Sequence, residues 1–394
     1  MRILTALTYY TPHISGLTIY ARRLLRRLAA KGHTVTVLTS HFSHELPRRE
    51  ELDGTTVIRT RMMTRISKGA VMPFLPWHAL RLAAAHDLVY LHLPQFEAVV
   101  IALAAKLARK PIVVSYQCDI VLPSRRARFV FAKLIDWSHG LTCALADTIV
   151  TTSEDFAAHS AMLGRFRHKV LAVTPPIEIG ADGVGPAELR RRFDLGDGPL
   201  VGFVGRFAEE KGIEYLVESV PLVLRELPDA RYVMVGLTDQ VFGERVHERV
   251  WPKIEALGPR IRHIGVLDDD ELRAFYHAIA VLVLPSTNST ESFGMTQAEA
   301  MLAGTPVVTT DLPGVREALR VTGMGRLVPP RDGPALANAI VAVLRDPASY
   351  SRPAEEVREL FDPQRTADFY EKLFRELVAA RDRTSSEAEP RSGS

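Results

Sequence analysis

The chain has 394 residues, of which 47% are apolar, and a net charge of +3 at pH 7. This composition is too apolar for a disordered chain, and the length predicts two domains of about 100 to 200 residues each. Cys118 and Cys143 are the only cysteines, which excludes a disulfide framework and indicates a reducing compartment. The sequence shows no signal peptide after Met1 and no apolar run of membrane-spanning length, so we expect a cytoplasmic protein.

The charge is unevenly distributed along the chain. Residues 1–180 contain 23 Lys and Arg against 12 Asp and Glu, a balance of +11, whereas residues 181–394 have a balance of −8. This asymmetry supports a division into two domains. It also indicates that the first half contacts something anionic, such as nucleic acid, phospholipid or a phosphorylated substrate.

In chain order, the first half alternates apolar segments with helical patterns. A helix is predicted over 19–32, where Gly32 ends it. Buried strands are predicted at 2–7, 33–40, 87–94, 111–119, 147–154 and 169–177. This order is typical of a parallel sheet covered by helices on both faces.

The same alternation starts again after residues 181–198, which are rich in Gly, Asp and Pro and are predicted to be a linker. Strands are predicted at 199–206, 230–236, 261–266, 281–286 and 305–311, and helices at 212–227, 270–280 and 296–304. The predicted fold class is therefore α/β, with two Rossmann-like, doubly wound domains at 1–180 and 199–355. Residues 381–394 are predicted to be a disordered tail. A ligand held by both domains would lie in a cleft beyond the carboxyl ends of the strands.

Two nucleotide-binding motifs are missing from the sequence. No Gly-x-Gly-x-x-Gly follows the first strand, where only Ser15-Gly16 is found, and no Gly-x-x-x-x-Gly-Lys-Ser/Thr occurs. A nicotinamide-dependent dehydrogenase and a P-loop enzyme are therefore disfavoured.

Two cations follow the strand predicted at 199–206. Arg206 comes directly after this strand and Lys211 precedes the next helix. Such a pair can hold a diphosphate, with Arg as a fork and Lys as a point charge. The alternative is a pair of surface cations beside Glu209 and Glu210.

A second candidate site opens the helix at 296–304. The amides of Phe293 to Thr296 are predicted at its N-terminus, where backbone donors favour oxygen-rich or anionic groups. Glu291 and Glu299 flank this segment, and their carboxylates can accept hydrogen bonds from ribose or sugar hydroxyls. The alternative is that both glutamates only stabilise the start of the helix.

These motifs resemble those of a known family. PSTNSTESFGMTQAEAMLAGTPVVTTDLPGVRE (285–317) resembles the signature of the retaining GT-B glycosyltransferases of family GT4 (glycosyl transferase group 1), with Glu291 and Glu299 in its Glu-x7-Glu motif. GRFAEEKG (205–212) resembles the diphosphate clamp of that family, and YYTPHISG (9–16) resembles its first glycine loop. The C-terminal segment FDPQRTADFYEKLF resembles a helix that crosses back to the first domain, here predicted over 356–380. The resemblance covers roughly residues 1–375.

The resemblance implies a metal-independent hexosyltransferase that needs no cofactor. It would move a sugar, with retention, from a UDP- or GDP-sugar to a saccharide or lipid-linked acceptor in cell-envelope or exopolysaccharide synthesis. Arg206 and Lys211 would neutralise the diphosphate, Glu291 would contact the transferred sugar and Glu299 the ribose. Gly16 would bring the backbone close to the phosphates.

The other donor-binding residues also follow from the resemblance. Val266, within Gly265–Leu267, would meet the nucleobase. The remaining donor-binding residues are Gly205, Phe293, Gly294, Met295 and Thr296.

The first domain departs from the family pattern at two places. One is the single glycine of Ser15-Gly16, and the other is the loop after the strand at 111–119, where the family often has a histidine and this chain has Gln117-Cys118-Asp119. Gln117 can bind a hydroxyl but cannot accept a proton. Asp119 is therefore the candidate for positioning the acceptor or removing its proton, unless it only caps the loop. His13 is predicted at the acceptor side of the cleft.

Asp268 to Asp270 imitate a metal-binding Asp-x-Asp motif. A capping box of Asp268 with Glu271 is the favoured interpretation, and no metal site is predicted.

Two segments, 59–82 and 124–137, mix basic residues with Met, Phe, Leu and Trp. They suit an anionic membrane surface, which would make the protein peripheral on the inner face of the plasma membrane. They suit nucleic acid too, although no nucleic-acid partner is expected, and ordinary helices with solvated basic faces are an alternative. Two other functions remain possible from the sequence. The protein is then either a nucleotide-sugar epimerase or a non-catalytic protein that binds sugar nucleotides or nucleic acid.

Overall fold

The structure is a computed structural model. It describes residues 1–66, 69–120, 126–181, 183–238 and 245–388, with the backbone alone for 66, 126–132 and 384–388. The chain divides into two compact units. The first contains Met1–Pro176 and the segment that begins at Pro363, and the second contains Ile177–Asp362.

The described residues form strands and helices in regular alternation. The strands are β1 (Arg2–Ala6), β2 (Thr34–His41), β3 (Arg49–Leu52), β4 (Thr55–Arg61), β5 (Thr64–Ile66), β6 (Gly69–Val71), β7 (Leu88–Leu93), β8 (Ile112–Tyr116), β9 (Thr148–Thr151), β10 (Val170–Ala172), β11 (Leu200–Val204), β12 (Arg231–Val235), β13 (Ile261–His263), β14 (Val281–Leu284), β15 (Val307–Thr310) and β16 (Gly325–Val328). The helices are α1 (Gly16–Ala30), α2 (Leu75–Ala85), α3 (Ala98–Leu107), α4 (Arg126–Leu145), α5 (Glu154–His159), α6 (Ala161–Gly164), α7 (Pro186–Arg192), α8 (Ile213–Glu226), α9 (Val246–Ala256), α10 (Asp269–Ala278), α11 (Met295–Leu302), α12 (Glu317–Thr322), α13 (Gly333–Arg345), α14 (Ala354–Leu360) and α15 (Pro363–Ala388).

The first unit contains an eight-stranded sheet of order β10-β9-β8-β7-β1-β2-β4-β3. Its strands are parallel except that the edge strand β3 runs antiparallel to β4. The strands β1, β7, β8 and β9 are almost entirely buried, because both faces of the sheet are covered there, which explains their continuous apolar sequences. On one face β7 contributes Val89 and Leu91 to a core that includes residues of α2 and α3. On the other face the rings of Tyr90 and His92 pack with Tyr370 of α15 and Tyr20 of α1.

The second unit has a six-stranded, all-parallel sheet of order β13-β12-β11-β14-β15-β16. One core cluster packs α8, α9 and α13 on one face. A second cluster packs α7, α10, α11 and α12 on the other. Helices on both faces give the doubly wound arrangement, and the predicted α/β fold class is confirmed.

Several elements differ from the sequence-based expectations. The strands β3 to β6 were not predicted, since residues 49–71 are rich in polar residues and form short strands. The strand β16 and several helices, among them α2, α3 and α9, were not predicted either. The predicted linker 181–198 contains α7, whose Leu189 is fully buried in the second unit. The helix α15 extends to Ala388 into the predicted tail 381–394, and residues 389–394 lie outside the described residues.

Candidate active site

The second-unit candidates lie at the carboxyl edge of its sheet. β11 and β14 are adjacent and parallel, so the loops that follow them leave from the same edge. The loop after β11 carries Arg206 and Lys211, and the loop after β14 carries Glu291. Sequence reasoning predicted the two motifs separately, and the sheet order brings them together.

Hydrogen bonds hold these two loops against each other. The backbone N–H of Thr287 donates to the carbonyl of Glu210 at 2.9 Å, and the Thr287 hydroxyl donates to the carbonyl of Glu209 at 3.0 Å. Gly212 has φ of +62°, and a Cβ there would lie 2.0 Å from the carbonyl oxygen of Pro285. A glycine is therefore required where the first loop meets the second.

Lys211 and Glu291 form an ion pair across the two loops. The Lys211 Nζ donates to Glu291 Oε2, and the side chains are 16% and 17% exposed. Glu291 Oε1 accepts a hydrogen bond from the backbone N–H of Gly294 at 3.0 Å. Lys211, predicted to bind the diphosphate, and Glu291, predicted to bind the sugar, are thus paired with each other, and Glu291 also accepts a hydrogen bond from the residue that precedes α11.

Arg206 has a carboxylate partner as well. Its Nη2 lies 3.4 Å from Oε1 of Glu210, whose side chain is only 8% exposed. Arg206 itself is partly exposed at the same sheet edge. The two cations predicted as a clamp are therefore each held beside a glutamate, and both remain at the edge where the loops end.

The N-terminus of α11 begins at a glycine with left-handed backbone geometry. Gly294 has φ of +72°, and a Cβ there would lie 2.5 Å from Cδ2 of Leu284. The helix then begins at Met295, followed by the half-buried Thr296. Backbone N–H groups of such a first turn lack intrahelical partners and favour anions. Phe293 instead has its side chain in the core, edge to face with Phe361.

Glu299 lies inside the unit. It is 4% exposed, and its Oε2 accepts a hydrogen bond from the hydroxyl of Tyr276 at 2.7 Å. Tyr276 lies on the buried face of α10 and cannot be distinguished from an ordinary core residue in the sequence. It is a candidate positioning residue that sequence reasoning missed.

The other predicted nucleotide contacts lie on the same edge. The Gly205 N–H donates to the carbonyl of Val235 at 2.9 Å, and the carbonyl of Gly265 accepts from Gly236 N–H at 2.8 Å. Val266, next to Gly265, is 47% exposed. Because β13, β12 and β11 are consecutive in the sheet, this loop and Arg206 share one edge.

The acidic segment 268–270 lies at the start of α10, where Asp268 is the N-cap residue. Asp268 accepts hydrogen bonds from the N–H groups of Asp270 and Glu271, and Glu271 accepts from the N–H of Asp268. The predicted capping box is confirmed. Among the described residues, no group of three or more His, Cys, Asp or Glu is arranged to hold a metal ion.

In the first unit, Gly16 begins α1. Ser15, which replaces the expected first glycine, is the N-cap residue, and its hydroxyl accepts from the Thr18 N–H at 3.2 Å. The Thr18 hydroxyl accepts from the N–H of Ser15 at 2.8 Å. Serine is thus accommodated as a cap, and the exposed Gly16 is the first helical residue.

His13 belongs to an aromatic cluster in the loop between β1 and α1. Its ring stacks on Tyr9 with a centroid distance of 4.9 Å, and Phe42 packs edge-on against both. The Arg65 guanidinium lies 5.0 Å from the Tyr9 ring centroid and donates to the Tyr9 hydroxyl. His13 is therefore held by ring contacts at the carboxyl edge of the first sheet.

Asp119 and Gln117 follow β8 at the same edge, two strands from β1. Asp119 Oδ1 accepts hydrogen bonds from the hydroxyls of Tyr116 at 2.9 Å and Ser160 at 2.7 Å. Burial, and then the charge of Asp119, raises the pKa of Tyr116, so this phenol remains a donor. The Gln117 amide nitrogen donates to the Ser115 hydroxyl at 2.6 Å. The carboxylate of Asp119 is thus oriented by two hydroxyl groups.

The basic, aromatic segments are only partly described. Residues 59–82 include the end of β4, the β5–β6 hairpin and the start of α2, whereas 67–68 lie outside the described residues. In the segment 124–137, residues 124–125 lie outside them too, and α4 begins at Arg126. No helix in the described parts of the chain combines the length and apolar character needed to span a bilayer.

Comparison with known proteins gives the family. The model of glycosyl transferases group 1 matches residues 198–346, and a glycosyl transferase 4-like domain matches residues 15–176. A 2-deoxystreptamine glucosyltransferase from Streptomyces kanamyceticus is 31% identical over 356 residues, which are 83% of this chain and 89% of that protein. A phosphatidyl-myo-inositol mannosyltransferase from Mycobacterium leprae is 34% identical over 200 residues, which are 48% of this chain and 51% of that protein.

Solved structures give the fold. Sucrose-phosphate synthase from Thermosynechococcus elongatus has a TM-score of 0.75 at 24% identity, covering 96% of this chain and 99% of that one. Anabaena HepE, solved in complex with UDP and glucose, also has a TM-score of 0.75, at 20% identity over 95% of this chain and 100% of that one. The fold is that of a GT-B glycosyltransferase. The chain belongs to the glycosyl transferase group 1 family, of the GT4 type.

Proposed function

We propose that this glycosyltransferase moves a hexose, with retention, from a UDP- or GDP-linked sugar to a hydroxyl of a saccharide or lipid-linked acceptor. The observation that carries the proposal is the Lys211–Glu291 pair beside the N-terminus of α11. A cation, a carboxylate and free helix N–H groups then meet at one sheet edge. A nucleotide diphosphate sugar needs donors for its phosphates and acceptors for its hydroxyls, and this edge offers both.

The leaving group is held by positive charge. The bond between the anomeric carbon and the diphosphate oxygen breaks, and its electron pair leaves with the diphosphate. Arg206, Lys211 and the first-turn N–H groups of α11 stabilise the negative charge that develops. Glu291 accepts hydrogen bonds from the transferred sugar, and Glu299, held by Tyr276, accepts them from the ribose. No metal ion or cofactor is needed for this step.

The acceptor is activated on the side of the leaving group. Its oxygen forms the new bond to the anomeric carbon on the face that the diphosphate leaves, and its proton passes to a phosphate oxygen of the leaving group. Asp119 positions the acceptor hydroxyl, supported by its fixed orientation on Tyr116 and Ser160. Gln117 and His13 contribute further contacts to the acceptor.

Relatives support the substrate classes. Proteins named for glucosyl transfer to 2-deoxystreptamine and for mannosyl transfer to phosphatidyl-myo-inositol share the family, and HepE has been solved with UDP and glucose. A role in cell-envelope or exopolysaccharide synthesis is consistent with such acceptors. The epimerase alternative is not favoured by these relatives, none of which is named as an epimerase.

We also propose that the first unit docks on an anionic membrane surface. Large apolar side chains are exposed on three helices that pack side by side: Trp77 and Leu80 on α2, Leu103 and Leu107 on α3, and Leu134 and Trp137 on α4. Together with the balance of +11 over residues 1–180, this face suits the interface of an anionic bilayer.

Incubation with donor sugars separates the alternatives. A panel of UDP- and GDP-sugars is screened by thermal shift, because a ligand that binds the native state raises the unfolding temperature. Each stabilising donor is then incubated with saccharide and lipid-linked acceptors, and the anomeric configuration of the product is measured by NMR. We expect a transferred sugar with the donor's configuration. An inverted product would refute retention, epimerised donor would indicate the epimerase, and binding without turnover would indicate a non-catalytic protein.

A further inference from the structure

A cavity in the first unit has a different chemistry from the sites above. It measures about 450 Å³ and is bounded by the end of β4, the residue before β3 and the start of α2. Its lining residues are Arg48, Ile58, Arg59, Arg61, Phe74, Trp77 and His78. Three of the seven carry guanidinium groups, and none carries a carboxylate.

Arg59 is the buried wall of this cavity. Its side chain has no exposed surface, and its guanidinium donates to the carbonyls of Pro47 and Thr11 at 2.9 Å each and to Glu50. Its Nε–H is buried and has no acceptor among the described residues. A buried donor without a partner is costly. Because the Arg59 side chain has no exposed surface, it supports the cavity wall, and the donors available to a ligand are those of the exposed Arg48 and Arg61.

Arg48 and Arg61 add two exposed guanidinium groups to the lining. Glu50 offsets the charge of Arg59, so the cavity keeps an excess positive charge of two from these arginines. Guanidinium groups match phosphate oxygens with paired N–H donors, and a phosphate monoester carries close to two negative charges.

An aromatic side of the cavity faces these arginines. Trp77 is 58% exposed, and its ring is braced by the Arg81 guanidinium at 5.3 Å and by the His78 ring at 5.0 Å. A fixed, exposed indole offers a flat apolar surface to a saccharide or cyclitol ring. The Arg59 bond to the Thr11 carbonyl also ties the cavity to the loop that carries His13.

We propose that this arginine cavity binds the phosphoryl group of a phosphorylated, hydroxylated ring, with the ring against Trp77. The ligand can be a free sugar phosphate or a phosphoinositide-type lipid headgroup, since both present the same chemistry. Only the further step, that this ligand is the acceptor of the transfer, rests on the proposed function.

The first test uses glucose 6-phosphate, glucose and glucuronate as probes, with affinities measured by calorimetry on the full chain without donor. Glucose 6-phosphate should bind at least about tenfold more tightly than glucuronate, and glucose should not bind measurably. The lipid arm compares phosphatidylcholine vesicles that contain phosphatidylinositol with vesicles that contain the same fraction of phosphatidylglycerol, so that the headgroup differs and the charge does not. A preference for glucose 6-phosphate over glucuronate, or for phosphatidylinositol over phosphatidylglycerol, supports the cavity and identifies the source, whereas no preference in both arms overturns it.

Matched variants locate the site. Arg48→Gln and Arg61→Gln should each lower the affinity for the preferred probe by about ten- to a hundredfold, the loss expected for one charge-assisted hydrogen bond. Arg49→Gln, an equally exposed neighbour outside the lining, should leave the affinity unchanged. Trp77→Ala should weaken soluble-probe binding, and Trp137→Ala should not. Equal losses for Arg49→Gln and Arg61→Gln would mean a diffuse charged surface and would overturn the proposal.

A failure of the cavity proposal can be distinguished from a failure of the proposed sugar transfer. Binding of nucleotide sugars is measured on the same preparations, and it depends on Lys211 and Glu291 of the second unit. Retained donor binding with no phosphoryl binding refutes the cavity alone.

Discussion

At the scale of single residues, Lys211 and Glu291 contact each other, although the proposed reaction assigns them to different parts of the donor. Their pairing balances charge in a site where each side chain is less than a fifth exposed. An uncompensated charge at such a position would be costly. Donor binding must therefore replace this contact with phosphate oxygens for Lys211 and sugar hydroxyls for Glu291.

The pair predicts non-additive kinetics. Lys211→Ala and Glu291→Gln should each lower the single-turnover rate by about one to two orders of magnitude, the loss expected for a charge-assisted contact. The double variant should lose less than the sum of the two effects, because each single change leaves the other residue unpaired. Arg249→Ala is the control, because this exposed arginine pairs with Glu209 and Glu214 in the same unit. Near-normal rates in both single variants would remove the pair from the mechanism.

Glu299 and Tyr276 predict a different kinetic signature. The ribose does not change during the reaction, so a residue that holds it contributes equally to ground and transition states. Tyr276→Phe removes the hydroxyl that orients Glu299, and Glu299→Gln removes the charge. Both should raise the donor Kd with little change in the single-turnover rate at saturation. Calorimetry and rapid-quench kinetics check this, and a lower unfolding temperature with unchanged Kd would show that the contact only supports the core.

At the scale of elements, the start of α11 depends on Gly294. Its positive φ resembles that of Gly304 just after the helix, +72° against +82°, but only Gly294 has neighbours that a Cβ would strike. The two glycines therefore separate backbone strain from steric fit.

Gly304→Ala should cost about 1–2 kcal/mol of unfolding free energy, the penalty of a left-handed conformation. Gly294→Ala carries the same penalty and must also displace Leu284 or the start of α11, so it should cost more and weaken donor binding. Chemical denaturation and donor calorimetry of both variants make the comparison. Equal stability losses and equal donor affinities would show that the helix start tolerates displacement.

The core between α1, β7 and α15 predicts a pH dependence. Full burial lowers the pKa of His92 from 6.5 to about 3. Below pH 6.5 the unfolded chain binds a proton that the folded chain does not, so the unfolding free energy falls as the pH is lowered toward about 3. This group accounts for at most about 5 kcal/mol of that loss.

His92→Gln keeps a polar side chain beside Thr5 without a titratable group. The variant should lose less unfolding free energy than the native protein between pH 6.5 and 4, as measured by urea titrations at each pH. His159→Gln, a change at a half-exposed histidine on α5, provides the control. A slope identical to that of the native protein would contradict the assignment to His92.

Most strands of both sheets could be predicted because buried parallel strands are continuous apolar runs, as in β7 and β11. The segment from β3 to β6 could not, because its strands are short and polar residues dominate them. At the site, Glu291 and Lys211 were recognisable from their motifs. Their contact was not, since 80 residues separate them and only the adjacency of β11 and β14 brings them together. Tyr276 carries no motif, and its role depends on the packing of α10 against α11.

At the scale of the whole molecule, charge and function are divided along the chain. The first half has a balance of +11 and the second a balance of −8, yet the proposed donor, which is anionic, binds in the second. Local cations beside β11 and the start of α11 must therefore act against an unfavourable background. The basic first half is therefore suited to bind the acceptor, and any anionic membrane surface in which the acceptor lies.

This division predicts salt-dependent membrane binding through the first unit. Vesicles with phosphatidylglycerol should sediment the protein at low ionic strength and release it at high ionic strength, because the attraction is screened beyond about 10 Å at 0.1 M salt. Trp137→Ala and Leu107→Ser remove exposed apolar groups from α4 and α3 without touching the arginine cavity, and both should weaken sedimentation while leaving glucose 6-phosphate binding unchanged. Val321→Ser, a change at an exposed apolar residue of the second unit, is the matched control. Sedimentation that is absent at low salt would exclude the membrane and favour a soluble acceptor, and equal losses in the control would mean that no particular face of the first unit is involved.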